Sequence, residues 1–341
     1  MFNRILLPLD GSALAERAIA HAEQFARIFG ASILLLHVLE PEVHLEGMPA
    51  LDPLSWQIRK AEAHAYLQWI AARIRNNLGE NPGKGAAEKS IRVNYALREG
   101  KTAENIVDFA HEENVDLLVI STHGSSGISR WNISSVANKV INSIYTHILI
   151  VRSCDPSQQD DARILYPRIL MPIDSSRRAE FALPAGIALT QWGAAQPISD
   201  FLTKKYQLVL VDILKQPEVH LSKPYPREVT KLTEQLMQVN RRFVNKYINE
   251  LKERLPIECE VHILENDGVA AGIWELADKN NIDLVVLSAH GYTGRFIGPY
   301  GTVTRDYIEH GSKPVLVLQD MPHSQVQPAA AQNVAEKLGR R

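Results

Sequence analysis

Apolar residues follow two rhythms along this chain. Runs of about four to eight apolar positions mark buried strands, and apolar residues recurring at helical spacing mark helices. In the first half the runs fall at 4–9, 32–39, 91–97, 117–121 and 148–152. Between them, Ser12 or Gly11 can cap a helix that turns Leu14, Ala18, Ala22 and Phe25 to one side. That helix should stop at Gly30, a residue suited to a left-handed C-terminal cap. Further helices are expected over 54–78, 102–113 and 134–144. The second half carries runs at 168–173, 207–214, 258–264, 284–288 and 315–318, with a long polar helix in its middle. Strands that are apolar throughout and alternate with helices call for a parallel sheet covered on both faces, with right-handed crossovers. The expected class is α/β, as two tandem doubly wound parallel five-stranded sheets.

The two halves are copies. Arg4-Ile-Leu-Leu-Pro-Leu-Asp10 returns as Arg168-Ile-Leu-Met-Pro-Ile-Asp174, and Val115-Asp-Leu-Leu-Val-Ile-Ser-Thr-His-Gly124 returns as Ile282-Asp-Leu-Val-Val-Leu-Ser-Ala-His-Gly291. Pro41-Glu-Val-His-Leu45 recurs as Pro217-Glu-Val-His-Leu221, displaced further than the other pairs, which puts an insertion in the second copy near 193–205. These matches divide the chain into a first domain over 1–152 and a second over 167–320. The aperiodic stretch 153–166, with Asp-Pro, Ser-Gln-Gln and Asp-Asp, reads as a linker, and the Pro-, Gln- and Ala-rich 321–341 as a disordered tail.

Composition narrows the classes. With 341 residues, 45% apolar and 22% charged, the chain suits two ordinary globular domains. Lys plus Arg total 37 against 39 Asp plus Glu, so no basic field draws in nucleic acid or anionic lipid. No apolar run is long enough to span a bilayer, and the opening Met-Phe-Asn-Arg leads straight into a strand pattern without a secretory leader. A cytoplasmic protein is expected. Cys154 and Cys259 are too few for a disulfide framework or a zinc site and read as free thiols.

In open sheets of this kind, ligands lie outside the carboxyl ends of the strands, where the strand order reverses. The informative residues should therefore follow strands one and four of each copy. Strand one ends in Asp10 or Asp174, and strand four runs into Ser121-Thr-His-Gly124 or Ser288-Ala-His-Gly291. In the second copy a loop with Gly294, Gly298 and Gly301 then opens onto a helix. Glycines let backbone N–H groups crowd around an anion, and a helix N-terminus adds partial positive charge, so phosphate suits this corner. A carboxylate beside it suits a ribose hydroxyl or an adenine amine. The aspartates also fit a purely structural role, as favourable charges at a helix N-terminus.

These residues resemble the universal stress proteins, specifically the tandem members with two such domains, over nearly all of the chain to Asp320. Nucleotide-binding members of that family carry an aspartate after strand one and a loop G-x-x-G, nine residues, then G-S or G-T. The second copy matches with Gly291, the stretch 292–300, and Gly301-Thr302-Val303, with Ser288 in place of the first glycine. The first copy aligns through Ser121, Gly124 and Ser134-Ser135-Val136, where the glycine before the hydroxyl residue is missing. A serine there should cost about 1 kcal/mol if the turn needs a bare Cα or a positive φ, so the second copy is the expected principal site. The resemblance implies an adenine nucleotide, ATP, ADP or AMP, with magnesium as a possible companion. It also implies main-chain contacts to the base near Val38 and Ile213, and pairing through the last strands, 148–152 against 315–318. Homo-oligomers and an unidentified regulatory partner protein follow from the same likeness.

Other chemistry lacks its residues. The G-x-x-x-x-G-K-[ST] phosphate loop, the G-x-S-x-G nucleophile turn and H-E-x-x-H do not occur. No carboxylate or nucleophile is legible beside His123 or His290. The repeated Pro-Glu-Val-His-Leu segments receive no role. Three functions stay in play: a nucleotide-binding stress sensor, a nucleotide-free scaffold that works as a built-in dimer, and a slow ATPase or self-phosphorylating protein with Ser135 or Thr302 as acceptor.

Overall fold

The computed structural model describes residues 1–41, 53–79, 91–122, 133–152, 164–196, 205–222, 224–292 and 298–320. The first half runs β1 (Arg4–Pro8), α1 (Ala13–Phe29), β2 (Ser32–Leu39), α2 (Pro53–Gly79), β3 (Val93–Glu99), α3 (Thr102–Glu112), β4 (Leu117–Ser121), α4 (Ser135–Ser143) and β5 (His147–Val151). The second runs β6 (Arg168–Ile173), α5 (Arg177–Glu180), α6 (Leu183–Ala194), β7 (Gln207–Leu214), α7 (Arg227–Arg254), β8 (Cys259–Glu265), α8 (Val269–Lys279), β9 (Leu284–Ser288), α9 (Thr302–His310) and β10 (Val315–Leu318). The expected linker (except for 164–166), the tail, most of the insertion, His123 and Gly124 fall outside the described residues.

The two five-stranded sets form one ten-stranded sheet in the order β3-β2-β1-β4-β5-β10-β9-β6-β7-β8. Within each half all pairs are parallel, and β5 meets β10 antiparallel, with Val315 opposite Ile150 and Val317 opposite Ile148. Two apolar strands that would otherwise expose an edge thus satisfy each other's backbone groups. At the ends of this seam Gln319 N–H donates to His147 Nδ1 at 2.9 Å, and Arg152 donates to the carbonyls of Tyr307 and Ile308 at the end of α9. Tyr166, just before β6, bonds His21 of α1 at 2.6 Å.

Alternation along the strands divides the core into two layers. Ile5, Leu7, Ile33 and Leu35 pack with α1 and α2, and Met171, Leu208 and Leu210 with α6 and α7. Leu6, Leu36, Leu118, Val209 and Val285 point to the other face, against α3, α4, α8 and α9. Burying one such side chain contributes about 1.5–3 kcal/mol, which makes this double layer the main stabilising force. Among the described residues, no helix is long and apolar enough to cross a membrane.

Two local differences from the pattern have physical causes. The first helix of the second half breaks into α5 and α6 because Pro184, near the start of α6, has no N–H to give and its ring crowds the carbonyl four residues back. β3 lies two residues later than its apolar run, at the polar sheet edge where alternation is weak. Gly30 caps α1 at φ 65°, as expected, with its N–H on the Ala26 carbonyl.

Candidate functional site

Each half has a cleft at the carboxyl ends of its strands, on the α3, α4, α8 and α9 face. The second encloses about 290 Å³ and gathers Asp174, Ile213, Ser288, Gly291, Gly301, Thr302 and Val303, with Val211, Ile273 and Leu287 as its apolar floor. The first, about 350 Å³, gathers Asp10, Val38, Ser134, Ser135 and Val136, together with Glu40 and Arg59. Of the residues aligned with the nucleotide-site pattern, all but Gly124 line one or the other; Gly298 lines neither, and Gly124, Gly294 and His123 lie outside the described residues. A larger hollow of about 680 Å³ lies at the seam between Asp116, His147, Phe181 and Gln319, away from both strand-end corners.

The turns after β1 and β6 are built alike. Asp10 Oδ1 accepts from Ser12 N–H at 3.0 Å and Asp174 Oδ1 from Ser176 N–H at 3.1 Å. Ser12 and Ser176 then cap their helices by accepting from Ala15 and Ala179 N–H. The residue between is left-handed, Gly11 at φ 80° and Ser175 at φ 60°, so the second half holds a non-glycine residue where glycine is favoured. Asp174 does more than shape a turn. Its Oδ2 accepts from Tyr292 N–H at 2.6 Å, tying the β6 turn to the strand-four loop. A Cβ on Gly291 would stand 2.4 Å from that oxygen, so Gly291 allows the close approach.

At the heads of α4 and α9 the expectation needs correction. Gly301 sits at φ −70°, and Ser134 at φ −57°, both ordinary for any residue. A Cβ at Gly301 would meet its nearest neighbour at 3.5 Å, an ordinary contact. Ser134 is therefore not strained. The difference is chemical: Ser134 Oγ accepts from Ala137 N–H at 3.2 Å, while α9 begins without a side-chain cap. Its first-turn amides have no partner within the helix. Beside them the Ser288 hydroxyl, 8% exposed, has no hydrogen-bond partner among the described residues.

Several residues near the clefts escaped the sequence reading. His290 does have a carboxylate partner: its Nδ1 bonds Asp320 Oδ1 at 2.7 Å, and Asp320 in turn faces Arg178 at 3.8 Å. Asp320 follows β10, and only sheet order brings it beside the end of β9. On the opposite face, Asp212 of β7 is 4% exposed, and its Oδ2 has no hydrogen-bond partner among the described residues. Burial, with Asp174's negative charge adding to it, pushes the Asp212 carboxyl up to about 7. The corresponding residue of β2 is His37, whose pKa burial lowers against the pull of Asp10. A repeated brace stands next to each: Tyr66 and Arg73 hold Glu16, and Tyr247 and Arg254 hold Glu180. Their spacing, Tyr-x₆-Arg on a helix, was the available signal.

A family model described as the universal stress protein family matches residues 1–152 and 165–319. A universal stress protein of Methanocaldococcus jannaschii is 28% identical over 152 residues, which is 45% of this chain and 83% of that protein. Among solved structures, a universal stress protein from Archaeoglobus fulgidus superposes with a TM-score of 0.61 at 17% identity, over 94% of this chain and 100% of the other. One from Pseudomonas aeruginosa gives 0.60 at 13% identity, over 100% of this chain and 98% of the other. With both halves matched in sequence and the whole architecture matched in space, this chain belongs to the universal stress protein family, as a tandem member with two domains of that type.

Proposed function

We propose that the second cleft binds ATP or a related adenine nucleotide and that the protein acts as a cytoplasmic stress-response regulator, its occupancy read by a partner protein. The observation that carries this reading is the head of α9, an uncapped helix start opening into a cleft that also holds the buried Ser288 hydroxyl and Asp174. Uncapped first-turn amides favour a phosphate by hydrogen bonding and by the helix dipole. Thr302, which lines the cleft, would join them with its hydroxyl. Asp174 would take a ribose hydroxyl or base amine, and the main chain near Ile213 the base. ADP or AMP suits the same groups, and magnesium would accompany a triphosphate. Ligand binding changes function only through tighter binding to one state, and the loop that Tyr292 and Asp174 tie together is the element it would order.

The test is to heat-denature purified protein, identify any released small molecule by mass spectrometry, and then titrate ATP, with Asp174→Ala and Gly291→Ala alongside. Nucleotide near one per chain, lost in both variants, supports the reading. Silence in release and titration would sink it and favour the second reading, a scaffold. The antiparallel β5–β10 seam supports that alternative, since it makes the two halves a built-in pair.

A further inference from the structure

Helix α7 carries two apolar stripes. Met237, Val244, Ile248 and Leu251 are buried against the sheet. About a third of a turn away, Val229, Leu232, Leu236, Val239 and Phe243 follow one another at alternating steps of three and four, the spacing of a two-heptad coiled-coil seam. Leu232, Leu236 and Phe243 are 65%, 46% and 68% exposed. In α2, the repeat counterpart, Trp56 and Trp69 instead lie under the guanidinium groups of Arg59 and Arg73, at 5.4 and 4.8 Å.

Charge on the flank of the stripe is ordered. Glu228 stands at its start, and Arg242 and Lys246 near its end, Lys246 also lying 3.8 Å from Glu250 one turn further on. Parallel pairing of two such helices would set Glu228 against Glu228 and Lys246 against Lys246. Antiparallel pairing sets Leu236 against Val239 of a second copy and Leu232 against Phe243, and it brings Glu228 onto Lys246 at both ends. The stripe is self-complementary about a twofold axis, as an isologous contact requires.

We propose that the outer stripe of α7 is the contact between two copies of this chain, which pair antiparallel along it. The contact does not depend on the nucleotide reading. α7 packs on β7 and β8 from the layer opposite the clefts, so both clefts stay open in the pair.

Sedimentation equilibrium of the full chain across the micromolar range tests the proposal. The wild type should dimerise, and Leu236→Glu should weaken association at least tenfold while leaving circular dichroism and melting unchanged, because the side chain lies on the solvent face. Glu228→Lys should weaken the dimer a few-fold, and adding Lys246→Glu should restore it. A wild type that stays monomeric, or a dimer indifferent to Leu236→Glu, would overturn the proposal. Failure of the charge pair to rescue would overturn the antiparallel arrangement.

Discussion

The two clefts close the same turn with different residues. At the head of α4, Ser134 turns its own hydroxyl onto Ala137 N–H; at the head of α9, Gly301 offers none. The backbones agree, so what separates them is who satisfies the orphan amides. A serine satisfies one locally, and a glycine leaves it for a ligand. The second contrast lies behind the clefts, where β2 places His37 near Asp10 and β7 places Asp212 near Asp174. One half sets a histidine beside its turn aspartate, and the other sets a second carboxylate.

The strongest way to break this comparison is to remove the turn aspartates in turn. Asp174→Ala deletes the acceptor for Ser176 and Tyr292 N–H and should lower ATP affinity at least about tenfold by calorimetry. Asp10→Ala should leave the second cleft nearly unchanged. Equal losses from both would show that the clefts are equivalent.

Protons probe the second contrast. Asp212 holds its proton to about 7 in the folded protein and to about 4 when unfolded, so the folded state binds more protons between those values. Stability from this group therefore falls as pH rises through that window, by on the order of a few kcal/mol. His37 works the other way: its folded pKa lies below 6.5, and its contribution grows as pH rises towards that value. Asp212→Asn should raise the melting temperature at pH 8 and reduce the loss between pH 4 and 7, followed by thermal denaturation. A melting temperature at pH 8 unchanged by the substitution would refute the buried-carboxylate account.

The braces should respond alike where the clefts do not. Tyr66→Phe and Tyr247→Phe each remove one hydrogen bond to a glutamate, at 3.0 and 2.9 Å, and should each cost about 1–2 kcal/mol in chemical denaturation. The smallest effect sharpens the first contrast most. Gly301→Ser should stabilise the fold by only a few tenths of a kcal/mol while weakening nucleotide binding, and Ser134→Gly should do the reverse in the first cleft. Binding unmoved by either exchange would remove the capping explanation.

Much of the fold was legible because it is local. The runs at 32–39, 117–121, 168–173, 207–214, 284–288 and 315–318 coincide with strands, since a strand buried on both faces must be apolar along its whole length. The cap at Gly30 and the serine caps were equally readable. The positive-φ part of the serine argument failed because chain order says that a glycine is missing but not which φ its site requires. Asp320, Asp212 and the Tyr–Glu–Arg braces stayed hidden because the groups they face come from other elements, 30 to 74 residues away.

The sequence by itself determined the class, the repeat and the strand-end positions of Asp10 and Asp174, because all of these follow from periodicity and from where a parallel sheet must place its carboxyl ends. Only the tertiary structure decided that Ser134 and Gly301 share a backbone conformation and that His290 finds Asp320. Those are matters of distance between segments remote in sequence, and packing sets them, not local propensity.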